Sequence, residues 1–134
     1  MAGIWDIIID QGADWRPTPL IWRNDDGTPI PLEGYTGRWL FKSDFGVAGN
    51  LAEISTAIGN LLLGATDGSI APLLLAAQTA GFAVDYTAIK YVIGGRQVYL
   101  LGVHDFRLQS PTQEVTKLVA GRVFLFPGVT NGAA

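Results

Sequence analysis

The sequence predicts an all-β fold, an antiparallel β-sandwich or barrel, and three observations carry that prediction. Runs rich in β-branched and aromatic residues recur along the chain, about eight or nine in all. Turn chemistry separates them every 8–12 residues or so. No helical period alternates with the strands, which argues against a parallel α/β sheet. The 17 Gly and 7 Pro are spread over the chain, as many short elements require.

Ile4-Trp5-Asp6-Ile7-Ile8-Ile9 reads as the first strand, and Asp10-Gln11-Gly12-Ala13-Asp14 as a turn. Trp15 to Trp22 reads as a second strand that carries Pro17 and Pro19. Each Pro removes a ladder donor, so this strand belongs at a sheet edge or is interrupted. Asp25-Asp26-Gly27 is turn chemistry: the carboxylates bond nearby N–H groups and Gly accepts a positive φ. Pro29 and Pro31 hold an extended crossing around Leu32, and Gly34-Tyr35-Thr36-Gly37 reads as a further turn. Arg38-Trp39-Leu40-Phe41-Lys42 is then a strand packed on at least one face.

A loop over residues 44–50 leads to a strand over Leu51–Thr56. A short buried strand follows at Leu61-Leu62-Leu63, and then a turn at Ala65-Thr66-Asp67-Gly68. Ser69–Ala80 has two readings, a helix or a strand over Ser69–Leu74 with one helical turn behind it. The Asp67-Gly68 hairpin signal favours the strand. Val84 to Leu101 reads as a hairpin folded at Gly94-Gly95, a two-residue turn signal. His104–Gln109 and Glu114–Phe126 are the last strands, with Gly121 marking a bulge or a close approach. Residues 130–134 form a small-residue tail, expected to be loose. Trp39, Phe41, Leu118, Val123 and Leu125 are the first candidates for the core.

Composition narrows function. The 134 residues suit one domain, residues 1–134, with a real core. Apolar residues make up 49% and charged residues 16%. So few charges suggest a surface partly covered by a partner. The net charge of −3 and the lack of any Lys/Arg run argue against nucleic acid. No Cys is present, which removes disulfides and thiolate metal sites. No signal-peptide pattern opens the chain and no apolar run reaches the roughly 20 residues of a membrane helix.

Chemical motifs are sparse, and we expect no catalytic, cofactor or metal residues. His104 is the single histidine. On an alternating strand it points away from Asp105, which makes it a packing residue. Asp25 and Asp26 are turn acids more economically than Ca²⁺ ligands, which come six to eight at a time. Asp10 and Asp14 read the same way. Ser43, Ser55, Ser69 and Ser110 lie in no nucleophile-elbow context.

Two features point to interaction instead. The hairpin at about 84–101 carries Tyr86, Ile89, Tyr91, Ile93 and Tyr99 with few charges. A ribbon has two faces and only one can lie on its own domain, so the hairpin is a candidate assembly arm. The alternative is that it extends a sheet and buries both faces. Trp15 and Trp22 are seven apart and face opposite ways in an unbroken strand, so one of them is a candidate contact. Exposed Trp would suit a sugar-stacking platform as well as a subunit interface.

Four stretches resemble a family of small tailed-bacteriophage virion proteins with an immunoglobulin-like β-sandwich, a domain similar to the N-terminal part of some baseplate receptor-binding proteins. They are Asp6–Trp15 with its Gln11-Gly12; Asp26-Gly27-Thr28-Pro29 through Leu32 and Gly34-Tyr35-Thr36; Asp67-Gly68-Ser69-Ile70 through Thr79-Ala80; and His104-Asp105 through Leu108 with Val115-Thr116-Lys117-Leu118 and Gly121-Arg122-Val123. The chain departs from the pattern at His104, where the family has Tyr, and in the 84–101 hairpin, which reads as an insertion. The resemblance implies a non-enzymatic structural or adaptor protein of the tail, neck, baseplate or capsid surface. Its expected partners are other virion proteins and copies of itself, with assembly in the host cytoplasm and no nucleic acid or membrane partner. The alternative function is a carbohydrate-binding module that reads host glycans.

Overall fold

The computed structural model describes residues 3–84 and 86–128, so the expected loose tail lies outside the described residues. The fold is all-β. Its one helix among the described residues is the single turn α1 (Ala76–Ala80).

Two sheets form. The larger contains β1 (Gly3–Ile4), β2 (Ile7–Asp10), β4 (Thr36–Lys42), β5 (Ala52–Ser55), β8 (Lys90–Ile93), β9 (Arg96–Gln109) and β10 (Val115–Phe126). The smaller runs in the order β3 (Leu20–Ile21), β7 (Ser69–Pro72), β6 (Leu61–Leu63). β9 is the spine of the large sheet. One of its edges pairs with β10; along the other lie β8, at Arg96–Tyr99, and β4, at Val103–Gln109. β5 closes the far side of β4.

Alternation on β4 puts Gly37, Trp39 and Phe41 inside and Arg38, Leu40 and Lys42 outside. Trp39, Phe41, Ile54, Phe106, Val123 and Leu125 from the large sheet share one core with Leu61 and Ile70 from the small one. Leu118, expected in that core, is only partly buried against it. Gly37 belongs to β4 and not to the preceding turn, which ends at Tyr35. A Cβ on Gly37 would stand 2.6 Å from Leu61 Cδ2 and 3.1 Å from Phe106 Cε1, so a small-sheet side chain already fills that space.

The prolines act as expected on the second strand. Only Leu20–Ile21 pairs as strand, and Trp15 makes an isolated bridge to Leu74. Ser69–Pro72 is a strand followed by one helical turn, and Pro72 lies on the middle strand of its sheet. Leu73 N–H donates to Asn60 in the β6 direction, so by alternation the missing donor of Pro72 faces the Pro17–Pro19 stretch, which offers no ladder there.

One correction concerns strand direction. β1 and β2 pair with β10 in parallel, not antiparallel. Parallel neighbours need a long connection between them, and the whole rest of the chain supplies it here. β1 and β2 are two parts of one edge strand broken at Trp5–Asp6. Trp5 N–H still donates to Ala120 O at 3.0 Å. At Asp6 the side chain takes over: Oδ1 accepts from the Arg122 N–H and Oδ2 from its guanidinium, each at 3.0 Å. That guanidinium bond is the main cause holding the Asp6 carboxyl below its ordinary range. Opposite the break, a Cβ on Gly121 would overlap the Trp5 carbonyl, so this glycine marks a close backbone approach.

The 84–101 hairpin is built differently from its sequence reading. Its turn is Gly94-Gly95, with φ of 59° and 78°, as a type I′ turn requires. Its outgoing strand is only Lys90–Ile93, and its return strand is the first part of β9, which continues unbroken to Gln109. The ribbon is therefore an extension of the spine of the large sheet. Gly102 looks like a breaker in the sequence, yet it is buried in mid-strand. A Cβ there would overlap the Lys42 carbonyl.

Candidate functional site

The acids and the histidine serve the fold. Asp26 Oδ1 accepts from Thr28 N–H at 2.9 Å and from Thr28 Oγ1 at 2.6 Å, closing the turn whose Gly27 has φ 88°. Asp14 Oδ1 accepts from Ala76 N–H at 2.7 Å, at the start of α1. Asp10 pairs with Arg96. His104 is 2% exposed. Its Nδ1 accepts from Trp39 Nε1–H at 2.9 Å, so Nε2 carries the proton and donates to Trp5 O at 2.6 Å. Burial is the main cause that lowers the His104 pKa. Among the described residues no group of three or more His, Asp or Glu side chains converges as a metal site. No helix among them is long and apolar enough to cross a membrane.

The tryptophans face inward. Trp39 is fully buried and Trp15 is 9% exposed, with ring centroids 5.9 Å apart. Trp5 completes this cluster at 6.0 Å from Trp15 and 5.8 Å from Trp39. Trp22 is half-buried against Tyr35. Trp15 therefore offers no surface to a partner. The exposed aromatic rings among the described residues are Phe45, Tyr86 and Phe126, on three different segments.

The ribbon β8–β9 has one face down and one face out. Tyr91 packs on Phe124 with centroids 5.2 Å apart, beside fully buried Val98. Ile93 lies half-buried on the same side by alternation. These residues cover the outer side of β10, where Phe124 is fully buried although it points away from the main core. The other face carries Lys90 and Val92, with half-buried Tyr99 under Tyr86 at 5.3 Å.

Of the seven residues expected to make contacts, Ile89 (79% exposed) and Tyr86 are open to solvent. Tyr91, Ile93, Tyr99 and Trp22 are partly covered by the chain itself, and Trp15 is inside. Val92 and Leu100, apolar residues of the same ribbon, are also exposed, Val92 at 69%. Val92 points away from Tyr91, since neighbours on a strand point to opposite faces. No pairing is recorded on the outer side of β8 among the described residues, so its backbone is a sheet edge flanked by Ile89 and Val92.

The sequence matches no known protein-family model, and no curated protein is significantly similar to it.

Proposed function

We propose that this protein is a non-enzymatic structural or adaptor protein of a tailed-bacteriophage virion. Its two sheets form an immunoglobulin-like sandwich, and it works through contacts with other virion proteins and with copies of itself. The observation that carries this reading is the apolar open edge at β8. Ile89 and Val92 stand exposed beside unpaired backbone, and such an edge is an aggregation hazard unless a partner covers it. Strand addition by a neighbouring subunit satisfies the backbone and the apolar side chains together.

The stretches that resemble the virion family also support the reading, because they are physically joined. Thr79 Oγ1 accepts from Gly12 N–H at 3.1 Å and donates to Ala13 O at 2.7 Å, linking the third stretch to the first. Gly34, φ 79°, packs against Pro111 in the turn within the fourth. Motif residues that hold one another mark a shared framework rather than scattered turn chemistry.

The test is to purify complete particles of the phage that encodes this chain, identify their proteins by mass spectrometry and image them by cryo-EM. A repeated β domain whose β8 edge meets a neighbour is the expected result. Complete particles without the chain would overturn the proposal.

A further inference from the structure

Three cations stand in one row across the outer face of the large sheet. The strand register sets Arg38 of β4 opposite Arg107 of β9, and Arg107 opposite Lys117 of β10. Adjacent strands lie about 4.8 Å apart, so the row is about 10 Å long. Like charges directly opposite on a ladder repel each other. The neighbouring row provides only two carboxylates for the three cations. Arg38 reaches Glu53 at 3.1 Å, while Arg107 and Lys117 share Asp105 at 3.4 and 3.8 Å. The cations stay open to solvent, with side chains 60%, 54% and 44% exposed. On the far side of the row an open groove of about 690 Å³ runs past Thr36, Gln109 and Val115. Val115 is 60% exposed, so the groove has an apolar wall next to its charges.

The same chain carries the complement. Asp25, Asp26 and Asp67 take part in no ion pair among the described residues, although the chain holds 12 acids against 9 Lys and Arg. These acids sit on two adjoining turns. Trp22 N–H donates to Gly68 O at 2.9 Å, and a Cβ on Gly68 would stand 2.7 Å from Trp22 O and 2.9 Å from Ile30 O. The Asp67 turn therefore abuts the hairpin that has Asp25 and Asp26 at its tip. Bonds from Thr28 to Asp26 and from Ser69 to Asp67 keep both carboxyls below their ordinary range, so both stay charged.

We propose that the Arg38–Arg107–Lys117 row binds the Asp25–Asp26 and Asp67 turns of a second copy of this chain. The contact joins two different surfaces, so it either closes as a two-fold dimer, each row on the other copy's turns, or repeats from copy to copy as a ring or a filament. A polypeptide with discrete charges fits better than a uniform polyanion. Glu53 and Asp105 lie directly beside the cations and would repel a continuous run of phosphates or sulfates. This surface is separate from the β8 edge, and the inference stands on its chemistry whether or not the protein belongs to a virion.

The test is self-association of the full chain by sedimentation, at about 0.05 and about 0.5 M salt, which changes the screening length severalfold. The wild type should associate with rising concentration and dissociate in the higher salt. One variant reverses the row (Arg38→Glu, Arg107→Glu, Lys117→Glu), and a second reverses the turns (Asp25→Lys, Asp26→Lys, Asp67→Lys). Each alone should associate about tenfold more weakly or worse, since paired charges across an interface couple strongly. An equimolar mixture should recover the association, because each reversed surface then meets an opposite charge. Should either reversed variant fail to fold, Arg107→Gln with Lys117→Gln replaces the row, and Asp25→Asn with Asp26→Asn and Asp67→Asn, which keep the oxygen acceptors of the turns, replaces the turns; each must also weaken association. A wild type that stays monomeric overturns the proposal. So do variants that associate like the wild type, or a mixture no stronger than its parts. Retention of heparin or short DNA by the row without self-association would mark a polyanion site and overturn it too.

Discussion

Trp39 and His104 are joined by a buried hydrogen bond, indole N–H to imidazole Nδ1, at 2.9 Å. The two residues are diagonal neighbours on the β4–β9 pair, where His104 stands opposite Phe41 and Trp39 opposite Phe106, and Trp5 packs beside both. The bond fixes the tautomer of His104 and aims its Nε2 proton at the Trp5 carbonyl. That carbonyl reaches the ring because Gly121, the partner of His104 on β10, has no side chain to block it. One histidine thus ties the edge strand at the N-terminus to the centre of the core.

His104→Phe should therefore cost stability. The sequence reading treats His104 as a packing residue, and the structure adds two buried polar partners. An unsatisfied buried donor or acceptor costs about 1–3 kcal/mol. Losing bonds to both Trp39 and Trp5 should lower unfolding stability by about 2 kcal/mol or more. Urea denaturation measures it, and an unchanged midpoint would refute the tie.

The same histidine gives stability a pH dependence. Burial lowers its pKa in the folded chain from the ordinary 6.5. The unfolded chain then binds the proton first as pH falls, so protonation favours unfolding. Stability should be full above pH 6.5 and should fall below it, until the folded-state pKa is passed. A proton on Nδ1 would also meet the Trp39 N–H, donor against donor. Urea midpoints across this range should slope for the wild type and lose that slope in His104→Phe.

Gly121→Ala should dislodge the edge strand without unfolding the sheet. The added Cβ would overlap the Trp5 carbonyl, which is backbone and cannot rotate away. Overpacking of this kind costs about 1–3 kcal/mol. Faster amide exchange is expected at Trp5 and Arg122, whose N–H groups bond Ala120 O and Asp6 Oδ1. Val98 and Phe106 in β9 should keep their protection. Uniform loss of protection, or none at all, would count against this joint.

Much of this fold was legible locally. Gly27, Gly68, Gly94 and Gly95 announce turns because each adopts a positive φ. Trp39 and Phe41 announce a buried face by their period of two. The rest depends on what meets in space. Gly102 has the look of a turn residue, but it serves a close approach to Lys42 inside a strand. Nothing near Ile7 or Val123 encodes their parallel pairing, since the partners are separated by most of the chain. The cation row escaped notice for the same reason: Arg38, Arg107 and Lys117 come together only through register.

The β8 edge supplies the last prediction. Deleting the whole ribbon from Tyr86 to Tyr99 is a poor test, because it removes fully buried Val98 and the first turns of the pleat in β9. It also uncovers Phe124, on which Tyr91 packs. Ile89→Lys with Val92→Lys is cleaner. Both side chains stand in solvent, so the monomer should lose no more than about 0.5 kcal/mol. Charge on an edge strand blocks pairing with a neighbour. The double variant should therefore keep its thermal midpoint and, under the virion role proposed above, fail to enter particles when co-expressed with the remaining proteins of the particle. Normal incorporation of a folded double variant would remove β8 as the contact. A Thr pair at the same positions separates loss of apolar contact from added charge. Thr keeps the strand propensity and leaves the backbone edge open, so partial incorporation of that pair is expected if backbone pairing contributes alongside the apolar side chains.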